Sequence, residues 1–294
     1  MLFDKVTLVG VGLLGGSLAL ALRERKLART VAGYVRRDAS LAECEQAGLK
    51  NFAMRDLSAA VRDADLVVLC TPLAQMRGLA ECMLSALKPG AIVSDVGSVK
   101  ASVVREIGPL VFSAGAEFIG AHPMAGAEKM GVGAATAALF DNAVCVLTPT
   151  ARSNAASVAK LEEFWRAVGA RVLKLTPALH DELVARCSHL PHVVAAELAT
   201  QILDPAHPRE QPQLCANGFR DTTRIASGSP EMWRDIAVAN RENLARALGA
   251  FIDDLRGLRE AILAGDVKRL EEFFTTAKQR RDAWRAQNAS PSPE

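Results

Sequence analysis

The sequence predicts an α/β domain built on a doubly wound, mostly parallel sheet, followed by an all-helical domain. Three observations carry this. Short runs rich in Val, Ile and Leu alternate with helical stretches through residues 1–176, as strands do when crossover helices bury both their faces. The glycine-rich run Gly10-Val11-Gly12-Leu13-Leu14-Gly15 stands between the first such strand and the first helix. From Pro177 onward the strand signals stop and only helical periodicity remains.

Taken in order, "KVTLVGV" (5–11) is a strand, 15–27 a helix and "TVAGYV" (30–35) a second strand. The strands "DLVVLCTP" (65–72), "AIVSDVG" (91–97), "EFIGAHP" (117–123) and "AVCVLTPT" (143–150) follow, mostly with helical spacers between them. A helix over about 153–168 leads to a last strand, "ARVLKLTP" (170–177). Residues 178–203 are helical in period despite Pro191, and a Pro-rich loop, "DPAHPREQPQ", comes next. A long amphipathic run covers 231–262, Gly265-Asp266 breaks it, and a final helix reaches about 286 before a frayed end. The expected domains are therefore 1–176 and 177–294.

Composition narrows the class. Half of the 294 residues are hydrophobic, 23% are charged, and the formal net charge is +2. Such a chain can form a core, and with no block of like charge it argues against nucleic acid or a membrane surface as partner. The cysteines at 44, 70, 82, 145, 187 and 215 have no metal-finger spacing. They read as buried free thiols in a reducing compartment, and no metal is expected. No signal pattern opens the chain and no apolar run is long enough to span a bilayer, so a cytoplasmic protein is expected.

The glycine run matches G-x-G-x-x-G in the strand-turn-helix setting of a Rossmann-type dinucleotide site. Gly10 and Gly12 would let the backbone approach a pyrophosphate, Gly15 would let helix and strand pack closely, and the helix start offers free N–H groups. Leu13, Leu14 and Thr71 are assigned to the same site. The second strand ends at Val35 where a ribose-binding acid is usual, and Arg36 and Arg37 follow. Two guanidiniums suit a 2′-phosphate, which favours NADP over NAD. The alternative keeps both arginines in solvent and makes Asp38 a displaced ribose acid.

In "FIGAHPMAGAEKM" (118–130) a histidine follows an apolar run and precedes a loop of small residues. A loop at the carboxyl end of a parallel strand is where open α/β sheets place ligands. Apolar surroundings keep an imidazole neutral and able to accept a proton. His122 is thus either a general base or a structural residue capping a turn, and as a base it would titrate at roughly pH 6–7. Ser98 in "DVGSVK" reads as the cap of a helix from Val99. His189 and His192 in "SHLPH" share a helix face, and no carboxylate completes a metal site with them. Sequence alone does not single out Arg224 from Arg220, Arg234 and Arg241. Trp233 reads as core.

The segments "VGVGLLGGSLALAL", "DVGSVK", "GAHPMAG.E", "LTPT", "SHLPH", "TRIA" and "MWRDI" occur together and in order to about residue 285. With them the chain resembles the bacterial prephenate dehydrogenase family, the TyrA type. The resemblance implies oxidative decarboxylation of prephenate to 4-hydroxyphenylpyruvate, with arogenate as the substrate of some relatives. It implies that His122 bonds the substrate hydroxyl as catalytic base, with Ser98 supporting it. It implies that Arg224 clamps the ring carboxylate and His192 lines the side-chain pocket. His189 would lie near the domain interface, Glu128 would act as a gating acid at the mouth, and Trp233 would approach the pocket. It also implies a homodimer through the helical domain. No chorismate mutase segment is expected ahead of this region, and no regulatory domain after it.

Two rivals share the architecture. β-Hydroxyacid dehydrogenases and imine reductases generally need a Lys on the first interdomain helix, and residues 178–192 contain none. A non-catalytic nucleotide sensor would be expected to lack His122 or Arg224.

Overall fold

The computed structural model describes residues 1–126 and 130–288; Glu128 lies outside the described residues. Six parallel strands form the main sheet: β1 (Phe3–Val9), β2 (Ala28–Tyr34), β3 (Ala53–Met54), β4 (Leu66–Leu69), β5 (Ile92–Asp95) and β6 (Glu117–Phe118). Their spatial order is β3-β2-β1-β4-β5-β6, so the winding reverses beside β1. The connections carry α1 (Leu13–Glu24), α2 (Asp38–Gln46), α3 (Leu57–Val61), α4 (Leu73–Met83) and α5 (Ala101–Ser113). Successive side chains of β4 alternate between faces: Leu66 and Val68 enter one apolar core, Val67 and Leu69 the other. Burial on both faces is why these strands read as unbroken apolar runs.

The expected strand 117–123 is in fact two. Ile119 N still donates to Val93 O of β5 at 3.0 Å. From Gly120 the backbone leaves the main sheet as β7 (Gly120–Pro123) and pairs antiparallel with β8 (Val144–Thr148). After α6 (Ala155–Ala167), β9 (Arg171–Lys174) pairs parallel with β8, which makes a separate three-stranded sheet. The switch needs a residue without a side chain, since a Cβ on Gly120 would stand 2.6 Å from Thr148 Oγ1. His122 therefore sits inside a strand, opposite Val146, rather than in the loop beyond one.

The helical part begins with α7 (Pro177–Val184), a widened turn of π type over Ala185–His189, and α8 (Leu190–Ile202). Pro191 has no N–H to give the carbonyl four residues back and its ring crowds that carbonyl, which a widened turn relieves. Next come α9 (Asn217–Thr223), a 3₁₀ turn over Arg224–Ser227, α10 (Pro230–Ala239), α11 (Arg241–Ala264) and α12 (Val267–Asn288). The amphipathic run expected as one helix is broken at Asn240, whose side chain is drawn into the interior.

By contacts the chain forms two compact units, Met1–Leu244 and Ala245–Glu294. In the first, Asp181 of α7 accepts hydrogen bonds from the backbone of Lys100 and Ala101, so the first helices after residue 176 are tied to the sheet domain. In the second, Gly265 turns the chain at φ +62° between α11 and α12. Leu263, Val267, Phe274 and Trp284 of that unit are exposed. Among the described residues no helix is long and apolar enough to cross a membrane.

Candidate active site

The carboxyl ends of β2, β1, β4 and β5 stand side by side in the sheet, and they deliver Arg36, the glycine loop, Thr71 and Ser98 to one edge. Gly10 has φ +98°, in the left-handed region, and a Cβ there would lie 2.6 Å from Thr71 Cγ2. A Cβ on Gly15 would collide with the Gly10 carbonyl oxygen. Around Gly12, by contrast, nothing lies within 4 Å of the Cβ position. The loop is tight where strand and helix meet and open where a ligand would approach. No side chain caps the start of α1, which leaves its N–H groups to an anion. Thr71 Oγ1 is buried with no hydrogen-bond partner among the described residues. These features fit a dinucleotide pyrophosphate.

At the end of β2, Arg36 and Arg37 are exposed. Arg37 lies 3.7 Å from Glu43 and 3.3 Å from Ser40 Oγ. Asp38, the alternative ribose acid, is taken up by Arg55, whose Nη1 donates to both of its oxygens at 2.8 and 2.9 Å.

His122 is buried. Its Nδ1 lies 2.8 Å from His180 Nε2, and His180 Nδ1 lies 2.8 Å from Asp181 Oδ1. The Asp181 carboxylate also accepts from Lys100 N at 2.7 Å and Ala101 N at 2.9 Å, at the start of α5. The expected Ser98 cap is absent for this reason: the helix begins at Ala101, and a carboxylate from α7 caps it. Ser98 is half-buried and makes no hydrogen bond among the described residues.

A buried ion pair holds the backbone beside His122. Lys100 and Asp95 are fully buried and bonded to each other. Lys100 Nζ also donates to Ala121 O at 2.7 Å, and Asp95 Oδ1 accepts from Ala121 N at 3.2 Å. Both peptide groups of Ala121 are thus clamped, and its neighbour is fixed with them. Burial pushes the Lys100 ammonium down, and Asp95 opposes that. Breaking such a pair typically costs 3–5 kcal/mol, because an uncompensated charge stays inside.

A second cluster stands on the helices. Asn240 Nδ2 donates to the Asp181 carbonyl at 2.8 Å and lies 3.2 Å from His189 Nδ1. Asn243 Nδ2 donates to Asn240 Oδ1 at 2.9 Å, which fixes the amide orientation. Because Asn240 donates, His189 Nδ1 accepts and the ring proton sits on Nε2. That Nε2–H is buried and has no acceptor among the described residues. The His192 ring stacks on Trp233 at 3.7 Å between centroids, and His189 meets Trp233 edge-on at 6.1 Å. Trp233 is therefore a half-buried wall between two histidines rather than plain core. Arg224 is exposed, and its charge reaches His192.

Electrostatics keep these rings neutral. His122 is held well below the usual histidine range, first by burial and then by His180, Lys100 and His189. A titration near pH 6–7 is thus replaced by a lower one. Burial brings His189 down to about 4, with Asp181 opposing and His180 and His192 assisting. Burial lowers His192 also, the Ser188 carbonyl opposes, and Arg224 adds to the effect.

The fold thus brings His122, His189, His192 and Arg224 into one region and sets Gly10, Gly12, Leu13, Leu14, Gly15, Thr71, Arg36 and Arg37 along the sheet edge. The sequence reading missed His180, Asp181, Lys100, Asp95 and Asn240. The adjacent His180-Asp181 pair at a helix start was a usable signal. The buried lysine was not, because nothing in "GSVKASVV" marks its ammonium as internal.

Two family models match the chain. One, described as prephenate dehydrogenase, nucleotide-binding domain, covers residues 18–174. The other, prephenate dehydrogenase, dimerization domain, covers 176–276. A cyclohexadienyl dehydrogenase of Zymomonas mobilis is 34% identical over 95% of this chain and 95% of its own. A prephenate dehydrogenase of Bacillus subtilis is 33% identical over 95% of this chain and 76% of its own. A crystal structure of prephenate dehydrogenase from A. aeolicus, in complex with hydroxyphenyl propionate and NAD+, superposes with a TM-score of 0.89 at 31% identity. The match covers 95% of this chain and 98% of that one.

Proposed function

The chain belongs to the prephenate dehydrogenase family, and from that premise we propose that it converts prephenate to 4-hydroxyphenylpyruvate in tyrosine biosynthesis. The observation that carries this reading is a buried, neutral imidazole, His122, clamped beside the carboxyl edge of a dinucleotide-type sheet.

The bound nicotinamide dinucleotide supplies the acceptor for the hydride that leaves C4 of the ring. The chain's own residues do the rest. His122 accepts the proton of the C4 hydroxyl, and Ser98, at the end of β5, supports that hydroxyl. Arg224 pairs with the ring carboxylate and holds it until it departs as carbon dioxide. His189 and His192 meet the side chain of the substrate. His189 and His192 are held neutral and Arg224 brings a positive charge to them, which suits a keto acid's oxygens better than the ammonium of arogenate. Glu128 serves as the gating acid.

Residues 1–176 hold the cofactor, and residues 177–294 hold the substrate and a second copy of the chain. The family description of the second region and its exposed apolar side chains support a homodimer. The enzyme works in the cytoplasm.

NADP+ is the preferred cofactor in this reading. Arg36 and Arg37 stand where a ribose-binding acid is usual, and Arg55 occupies Asp38. The solved relative is in complex with NAD+. Initial rates with prephenate and arogenate against NAD+ and NADP+ test both points. The highest kcat/KM is expected for prephenate with NADP+, and Val35→Asp with Arg36→Ala should move the preference toward NAD+. A wild-type preference for NAD+ rejects the cofactor assignment, and a preference for arogenate rejects the substrate assignment.

A further inference from the structure

We infer that His180 and Asp181 form a relay that holds His122 with its proton on Nδ1, and that receives this proton when His122 acts as base. The inference rests on the reading of His122 given above.

The direction of each bond follows from what each atom can do. The Asp181 carboxylate only accepts, and two backbone N–H groups already fix it in place. It therefore takes the Nδ1–H of His180 across 2.8 Å. In a neutral His180 the other nitrogen, Nε2, is then an acceptor. The bond to His122, also 2.8 Å, must be supplied from His122 Nδ1–H. This leaves His122 Nε2 with a bare lone pair and no hydrogen bond among the described residues. An imidazole free to choose could carry its proton on either nitrogen. With the proton on Nε2 it would be useless as a base at that atom.

The relay also moves charge. As the hydroxyl O–H bond breaks, an N–H bond forms at His122 Nε2. The Nδ1–H proton of His122 passes to His180 Nε2, while His180 keeps its Nδ1–H on Asp181. One proton enters the chain of groups and none is lost. The positive charge comes to rest on His180, beside a buried carboxylate, instead of on His122. The other groups around His122 favour that transfer: Lys100 from the turn before α5 and His189 from the widened turn both oppose charge on it. Asp95 neutralises Lys100 across the buried pair, and Cys145 of β8 lies against the same ion pair with its thiol pushed up by burial. His180 faces His122, His189 and its own carboxylate partner. His180 and Asp181 act through His122 and are positioning residues.

The experiment uses the full-length enzyme with prephenate and either cofactor. His180→Gln offers an oxygen to His122 Nδ1–H but cannot take the proton. His180→Phe offers nothing. The expected order of kcat is wild type, then Gln lower by roughly 10- to 100-fold, then Phe lower still, within the range general bases contribute. KM for prephenate should stay within about threefold. In the Gln variant the repulsion from a charged His180 is removed, but the charge also loses its place beside Asp181. In the relay the second effect is the larger, so the acid limb of log kcat should move to lower pH by about half a unit or more. A limb that stays put with unchanged kcat makes His180 structural, and a limb that moves up makes it a simple repelling neighbour; either overturns the relay. Should the variants misfold, long-range ¹⁵N–¹H spectra of the histidine-labelled wild type decide, with His122→Asn assigning the ring. Protonation of His122 at Nδ1 supports the relay and protonation at Nε2 overturns it. The base reading fails separately, when His122→Asn leaves the rate and the limb intact.

Discussion

Replacing His122 by Asn lowers kcat for prephenate by about 10²–10⁴-fold, the usual contribution of a general base, while prephenate and cofactor still bind. Asparagine keeps a hydrogen-bonding group in a similar volume but cannot take the hydroxyl proton. The wild-type pH profile carries the same information. A base must be unprotonated to act, so activity rises with pH through its pKa and levels above it. Burial, His180, Lys100 and His189 all lower that pKa, so the limb lies below the ordinary histidine value of about 6.5 and activity persists into mildly acid buffer. The limb should vanish in the variant. Unaltered turnover per folded molecule alongside lower thermal stability would show instead that His122 only secures β7 against β8.

Arg224→Ala raises KM for prephenate by something like 10- to 100-fold, from about 1.5–3 kcal/mol for a charged hydrogen-bonded pair. The guanidinium is exposed on the turn after α9 and acts on His192, so it faces the cluster of histidines rather than the core. Removing it should leave the cofactor constant nearly unchanged, since the glycine loop and Thr71 stand on the sheet edge. An equal rise in both constants would mean that Arg224 holds the turn and not the substrate. Arg224→Lys sharpens the reading: it keeps the charge but loses the planar two-pronged geometry, and should recover only part of the affinity.

Most of the fold was legible because its signals are local. The run Gly10–Gly15, the apolar strands and Pro177 each report on their own neighbourhood, and their order specifies the winding. What escaped were long-range relations. Residues 117–123 look like one strand, yet Ile119 and Gly120 pair with different sheets, a choice made by β5 and β8 and by the room at Gly120. Ser98 looks like a cap, yet Asp181, some eighty residues later, outcompetes it at α5. The site divides the same way. His122 and the histidines of "SHLPH" were legible as chemical types in telling places, whereas Arg224 was set apart from its neighbouring arginines only by the family resemblance. His180, Asp181 and Asn240 matter through whom they touch, and only the folded chain brings Asn240 to His189 or His180 to His122. The lowered pKa of His122 belongs to this second class, since its causes are burial and three neighbours from other elements.

The central claim is that this chain removes a hydride and a carboxylate from prephenate together, with His122 taking the proton. The most direct measurement is an end-point assay of purified wild type with prephenate and NADP+ or NAD+, quantifying reduced nicotinamide and 4-hydroxyphenylpyruvate in the same vessel. Equal amounts of the two products, formed by wild type and at a rate lower by about two to four orders of magnitude by His122→Asn, are the predicted result. Cofactor binding with no reduction by the wild type, or reduction without 4-hydroxyphenylpyruvate, would contradict the account.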